Sequence, residues 1–270
     1  VLSLYDPELR QHAYHPRATA YYFRRWQRFV MDFHAHDAAE IMYVISGTCR
    51  VEAEGASHAM KSGQLILLDA RVPHRLIVDP GPCRMLNVEF IFVEPYGPFP
   101  TVRDLCQGCP SLQALLGSRR PYVLLKDREI VYQAMRNLVM ELDPHRGSMS
   151  FLGHLYWAQV MISIARLAEE AEAESGRQAQ RYVQQAIEFI HEHYDSPLKV
   201  ADIAGAVNLH PNYLHRLFRA EMGVSLMTYV TRYRMEKAKM LLANTGIPVT
   251  QIGAYVGIGS SQYFSAVFKR

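Results

Sequence analysis

The chain has 270 residues, 49% apolar and 20% charged, with a formal net charge of +3. This is enough for one large domain or two domains with true hydrophobic cores, in the composition of an ordinary soluble globular protein. No apolar run nears the roughly 18 residues a membrane helix needs, and the opening "VLSLYDPELRQHAYHP" lacks the basic-then-apolar order of a secretory leader. The missing initiating Met points to a few residues before Val1. Four cysteines (Cys49, Cys83, Cys106, Cys109) are too few for a disulfide scaffold and fit a reducing cytoplasm. The single pair "CQGC" (Cys106, Cys109) reads as two ordinary thiols, since one C-x-x-C without a second is a weak zinc or redox signal.

Residues 20 to 93 read as strands. "TAYYFRRWQRFVMDF", "AEIMYVIS", "CRVEAE", "QLILLD", "HRLIVD" and "RMLNVEFIFV" are rich in β-branched and aromatic residues, and Ser46-Gly47, Glu54-Gly55, Ser62-Gly63 and Asp79-Pro80-Gly81 separate them. Short strands so spaced predict a sandwich or barrel. "EIMYVI" is apolar at both parities, as in a strand covered on both faces.

Two constellations in this region carry chemistry. In the first strand Tyr22, Arg24, Trp26 and Arg28 share one parity. Trp beside Arg can stack on a sugar ring and hold hydroxyls or carboxylates, although such a strand can equally have one solvated face. In "FHAHDAAEIMYVISG", His34 and His36 project to one side of an extended segment, Glu40 follows on the next strand, and "SGQLILLDARVPHRL" adds His74 after a Pro. This spacing resembles the two signature motifs of the cupin barrel. In metal-binding cupins the matching positions, His34, His36, Glu40 and His74, are ligands. Three imidazoles and a carboxylate suit zinc, iron, manganese or nickel with open positions for substrate. The match is incomplete: Asp69-Ala70-Arg71 stands where metal cupins often have Pro-x-Gly, and no Asn follows His74 at the usual place. Two other readings stay open, in which the histidines cap the barrel mouth by hydrogen bonding to Glu40 and backbone, or bind a small effector directly.

After the Pro- and Gly-rich "VEPYGPFP" the period changes to that of a helix. "DREIVYQAMRNLVMEL" places Ile130, Ala134, Leu138 and Leu142 on one stripe, and "FLGHLYWAQVMISIARLAEEAEAE" continues as a longer helix that turns acidic. Helices this apolar need a partner surface, either the barrel or a second copy of the chain. Residues 170–180 read as a linker, and a new helix is expected from Arg181 with Val183, Ile187 and Ile190 on one face. His191 and His193 read as ordinary surface residues near a helix end.

The last third carries a repeat. Ile203-Ala204 answers to Ile252-Gly253, Val207-Asn208-Leu209 to Val256-Gly257-Ile258, and Leu214 and Phe218 to Phe264 and Phe268. The offset is 49 residues before the turn and 50 after it. Each copy fits a helix-turn-helix. A small residue (Ala204, Gly253) lets a second helix cross closely, and Asn208 or Gly257 tolerates positive φ at the turn. The second helix begins with His210-Pro211 or with Ser260-Ser261 as cap candidates. Its outward face is left for Asn212, His215, Arg216 and Arg219 in one copy and Ser261, Gln262 and Ser265 in the other, which are side chains that suit base edges and phosphates. The amphipathic segment between the copies would hold them about one turn of DNA apart, near 34 Å, with Met227, Val230, Met235 and Leu241 inward and Arg232, Arg234, Lys237 and Lys239 basic. Residues 181–270 hold 10 Lys and Arg against 6 Asp and Glu, so this end is the one suited to a polyanion.

The stretch from "PLKVADIAGAVNLHPNYLHRLFRAEMG" to "GIGSSQYFSAVFKR" resembles the DNA-binding domain of the AraC/XylS family of bacterial transcription regulators, and the likeness runs densely over 181–270. By position it implies base contacts at Asn212, His215 and Arg216 and at Ser261, Gln262 and Ser265. Ala266 departs from it, since the family often has an Arg there facing DNA, and a further short helix is expected past Arg270. Such regulators commonly carry a cupin-like N-terminal domain, which residues 20 to 93 resemble from end to end.

The expected fold is therefore α+β and multidomain. A cupin-like effector-sensing β-barrel (1–100) precedes a helical dimerisation or packing segment with linker (101–175) and an all-α double helix-turn-helix domain (181–270). The expected function is a ligand-responsive, sequence-specific transcription regulator, cytoplasmic and non-catalytic, with the effector pocket at Tyr22, Arg24, Trp26, Arg28, His34, His36, Glu40 and His74. Its partners are operator DNA, a small-molecule effector such as a sugar, a second copy in a homodimer, and RNA polymerase. A divalent metal in the barrel is the one cofactor considered. The alternative is a metal-dependent cupin enzyme, of dioxygenase or isomerase type, fused to a helical domain.

Overall fold

The computed structural model describes residues 2–95, 97–143 and 149–268. They fall into two compact units, Val1–Glu172 and Ala173–Arg270. Among the described residues the strands are β1 (His15–Val30), β2 (Ala39–Ser46), β3 (Thr48–Ala53), β4 (Ala56–Lys61), β5 (Gln64–Leu68), β6 (His74–Val93) and β7 (Tyr122–Lys126). The helices are α1 (Glu8–Gln11), α2 (Val102–Gly108), α3 (Pro110–Gly117), α4 (Ile130–Leu142), α5 (Phe151–His193), α6 (Val200–Ala206), α7 (Pro211–Met222), α8 (Leu226–Asn244), α9 (Val249–Tyr255) and α10 (Ser261–Phe268). Among the described residues no helix is long and apolar enough to cross a membrane.

The first unit is a curled sheet in the order β4-β3-β6-β2-β5-β7, with β1 also pairing β6. The 20-residue β6 organises it. Residues 74–77 pair with β3, residues 84–90 with β2, and β1 runs antiparallel along nearly the whole strand. At the β2–β3 turn Gly47 has φ 82°, and a Cβ there would lie 2.1 Å from the Pro82 carbonyl oxygen, so only glycine fits this approach.

Strand alternation gives the sheet two buried faces. One carries Ile41, Tyr43, Leu65, Leu67, Leu86, Val88 and Phe90, packed with Leu112 and Leu116 of α3, Val131 and Met135 of α4, and Trp157, Val160 and Ile164 of α5. The other, concave face is filled by Met42, Val44, Val51, Met60, Ile66, Leu68, Leu76, Val78 and Met85. The double apolar parity of β2 has this cause. Helices and sheet thus share a core. Cys106 and Cys109 are buried thiols in it, free of any disulfide.

Four expectations are corrected here. Ile130 is 63% exposed: α4 begins at that residue, and its buried stripe runs through Val131, Ala134, Met135, Leu138, Val139 and Leu142. Asp127 sets this start, its carboxylate accepting from the amides of Arg128, Val131 and Tyr132 and from the Tyr43 hydroxyl. Residues 170–180, where the boundary between the two units falls, are helical and part of α5, because Ala, Glu, Gln and Arg are good helix formers and outweigh Ser175 and Gly176. Residues 101–175 are not wholly helical, since β7 adds to the edge of β5. The expected strands "HRLIVD" and "RMLNVEFIFV" are one strand, bent at Asp79–Gly81.

In the second unit α8 serves two cores. Leu226 and Val230 at its start join Val183, Ala186 and Ile190 of α5, Ile203 and Ala204 of α6, and Leu214 and Phe218 of α7. Met235 and Ala238 join Ile252 and Val256 of α9, Ile258, and Phe264 of α10. Met227 and Leu241, also expected to face inward, pack at the margins of these cores.

Candidate functional sites

The two turns of the second unit are superposable in their bonding. Leu209 N donates to the Ala204 carbonyl at 2.9 Å, and Ile258 N to that of Gly253 at 2.8 Å; Asn208 N and Gly257 N donate to Gly205 and Ala254 at 3.1 and 3.2 Å. Asn208 has φ 54° and Gly257 φ 73°, both left-handed. A Cβ on Gly253 would meet the Ile258 carbonyl at 3.2 Å and the Phe264 ring at 3.4 Å, which explains the small residue. The caps differ in chemistry but not in place: His210 Nδ1 accepts from Asn212 N, and Ser260 Oγ from Tyr263 N.

These caps aim α7 and α10. Leu214 and Phe218 of α7, and Phe264 of α10, are buried, while Asn212, Arg216, Arg219, Gln262 and Ser265 are exposed and His215 is half-buried. The Ser261 side chain lies outside the described residues. Tyr213 and Tyr263, exposed at matching places, went unnoticed in the sequence; both sit one residue before a buried anchor. Arg232 is exposed, whereas Arg234 is half-buried and its Nε and Nη2 donate to the Tyr194 and Ser196 carbonyls at 2.7 Å each. His191 is likewise not a free surface residue: it stacks on Tyr233 at 4.0 Å and its Nε2 lies 3.1 Å from the Tyr229 hydroxyl.

At one end of the concave face lies a polar cluster. His34 and His74 are paired through both backbone groups and their rings are 4.4 Å apart; His36 lies 5.3 Å from His74. Glu40, buried at the start of β2, has Oε2 at 3.2 Å from His74 Nε2 and 3.4 Å from His36 Nε2. Asn87 Nδ2 donates to its Oε1 at 2.8 Å. Burial works to raise the Glu40 pKa, but the neighbouring His36, His74 and Asn87 side chains outweigh it and hold the group down at about 2.

Sequence reasoning missed Asn87 and Glu89 of β6, which stand opposite Met42 and Glu40 of β2. Both are polar residues of one parity inside the otherwise apolar stretch 85–93, and that was the available signal. Burial and the Glu40 charge raise the Glu89 pKa.

The proposed strand of Tyr22, Arg24, Trp26 and Arg28 divides. Tyr22 stands opposite Asn87 in register and belongs to the polar cluster, its pKa pushed up to about 12 by burial and by Glu40 and Glu89. Arg24 lies over the Trp26 ring at 4.5 Å, and Trp26 stacks on Phe29 at 4.3 Å. Apolar side chains fill the concave face between these two ends. Arg28 leaves the set altogether. A bulge between Gln27 and Phe29 gives it φ 41° and exposes it, and Phe29 takes the inward place opposite Val78.

Comparison with known proteins fits these two architectures. Residues 17–91 match the model of the AraC-like ligand binding domain, and residues 203–270 match that of a helix-turn-helix domain. Together they account for more than half of the chain, which belongs to the AraC family of regulators. The Msm operon regulatory protein of Streptococcus mutans is 36% identical over 36% of this chain and 34% of its own length. The arabinose operon regulatory protein of Escherichia coli is 37% identical over 33% of this chain and 30% of its own. This chain thus spans about a third of the length of these relatives. The melibiose operon regulatory protein of Escherichia coli is 22% identical over 91% of this chain and 85% of its own.

Proposed function

We propose that the chain is a ligand-responsive transcription regulator acting in the cytoplasm, which reads an operator with α7 and α10. The repeated turn carries this reading. Two identically bonded turns each fix a short helix by buried anchors and leave Asn212, Arg216 and Arg219, or Gln262 and Ser265, outward. Arg pairs with guanine and Asn or Gln with adenine in the major groove, and Arg219 and Arg232 suit phosphates. Footprinting on an operator selected from random duplexes is expected to show two protected major-groove segments about one helical turn apart. A single protected segment, or no selection at all, rejects it.

The effector is a small polar metabolite, such as a sugar, held at the Tyr22–His74 end of the concave face; binding alters operator affinity only if it favours one arrangement of the protein. A homodimer is supported by Phe151, Leu152 and Leu155, exposed at the start of α5, with Ile130 and Met140 of α4. Sedimentation at micromolar concentration should show two chains, and a monomer there rejects the dimer. RNA polymerase is the further partner of an activating complex. The enzyme reading is not favoured, as the relatives named above are operon regulators.

A further inference from the structure

The histidine cluster gathers imidazole nitrogens and a carboxylate at one place. His74 Nδ1 lies 2.8 Å from the Val72 carbonyl oxygen and His34 Nδ1 lies 3.2 Å from that of Asp32. A carbonyl only accepts, so both Nδ1 atoms carry hydrogen, and Nε2 is the nitrogen left to face the cluster. His74 Nε2 is buried and, though 3.2 Å from Glu40 Oε2, makes no hydrogen bond. Asn87 holds the other Glu40 oxygen, which leaves Oε2 to His36 and His74. His36 Nε2 can donate to Oε2, but the buried His74 Nε2 is left facing that carboxylate without a hydrogen bond, an orphaned polar atom aimed into the cluster.

We propose that His34, His36, His74 and Glu40 bind a divalent transition-metal ion, with three imidazoles and one carboxylate as donors. The nitrogens of the three rings lie within 4.8 Å of one another, as a shared ion requires. Backbone carbonyls on the far nitrogens of His34 and His74, and the Asn87 amide on Glu40, are the outer contacts that orient metal ligands and fix their tautomer. Imidazole donors select zinc, iron(II), cobalt, nickel or manganese over calcium and magnesium, which prefer oxygen. His34, the exposed ligand, marks the solvent side, and Glu89 lies within 4.8 Å of His36 and Glu40 as a further oxygen donor. The rival reading is a hydrogen-bonded cap on Glu40 with no ion. It would satisfy one ring and leave the gathering of the other two without a cause. This site goes beyond the DNA-reading function and stands or falls separately from it.

The full chain, stripped by dialysis against a chelator, is titrated with Co2+ under visible absorption and with Zn2+ by calorimetry. The expected result is one ion per chain and a cobalt d–d spectrum free of thiolate charge-transfer bands. Asn87→Leu should weaken Zn2+ binding on the order of 10-fold or more. His34→Ala, whose ligand is exposed and whose fold is checked by circular dichroism, should weaken it at least as much. No ion bound at micromolar concentration overturns the proposal. Thiolate bands would place the ion at the cysteines, and unchanged affinity in His34→Ala would place it elsewhere; either result overturns it as well.

Discussion

Arg234 and Gly257 meet at a single atom. Arg234 Nε donates to the Tyr194 carbonyl oxygen at 2.7 Å, and a Cβ built on Gly257 would lie 2.5 Å from that same oxygen. The segment after α5 is thus clasped between α8 and the turn of the second helix-turn-helix. Gly257→Ala is expected to cost about 1–3 kcal/mol through its positive φ and this contact, whereas Asn208→Gly, at the matching turn, should stay within about 1 kcal/mol. Urea unfolding of both variants checks this. Equal losses would mean that the two turns do not differ in crowding.

Arg216→Ala should weaken binding to a selected operator by roughly 1–3 kcal/mol and relax base preference at one position. The corresponding position in α10 is Ala266, also exposed. Ala266→Arg should tighten binding and steepen its dependence on salt by about one unit of slope. Fluorescence anisotropy over a series of salt concentrations measures both, and an unchanged affinity for Arg216→Ala would remove that residue from the interface.

The bulge in β1 separates neighbours that the strand pattern would pair. Phe29→Ala should destabilise by about 1–3 kcal/mol, because the ring packs on Trp26 within the concave core. Arg28→Gly should be neutral or mildly stabilising, since it relieves a non-glycine residue at φ 41°. Thermal unfolding of the two variants decides between this register and an unbulged strand, in which the order of effects would reverse.

His154 gives the first unit a pH dependence. Its ring is buried, stacked on Phe99 at 3.9 Å and edge-on to His15 at 5.0 Å. Desolvation lowers its pKa below the ordinary histidine value. The unfolded chain therefore takes up the proton first as pH falls through about 6.5, and stability declines there. His154→Gln should flatten the fall in urea midpoint between about pH 7.5 and 5.5 relative to the parent chain. A parallel fall in both would show that other groups set the slope.

The parts of this molecule legible in its sequence are those governed by local rules. The twin turns could be found because left-handed backbone selects Asn or Gly, and buried anchors recur at helical spacing, as at Leu214 and Phe218. His34 and His36 were findable by their shared parity, and Glu40 and His74 by the resemblance to the cupin motifs. What escaped depends on partners distant along the chain. β4, "ASHAMK", has little intrinsic strand preference and exists because β3 templates it. β7 is an edge partner of β5 supplied from beyond two helices. Asn87 and Glu89 gain meaning only once β6 is laid beside β2, and the Arg28 bulge is a matter of pairing that no single-strand pattern reveals.

Because α8 lends one end to each of two small cores, the two helix-turn-helix motifs are mechanically joined but compositionally separate. Substitutions around Ile252 and Phe264 need not disturb the packing of Ile203 and Phe218. If α7 and α10 read an operator as proposed, a lineage could retune which bases the second motif prefers, or let that motif lapse into a mere backbone grip, while the first keeps its specificity intact.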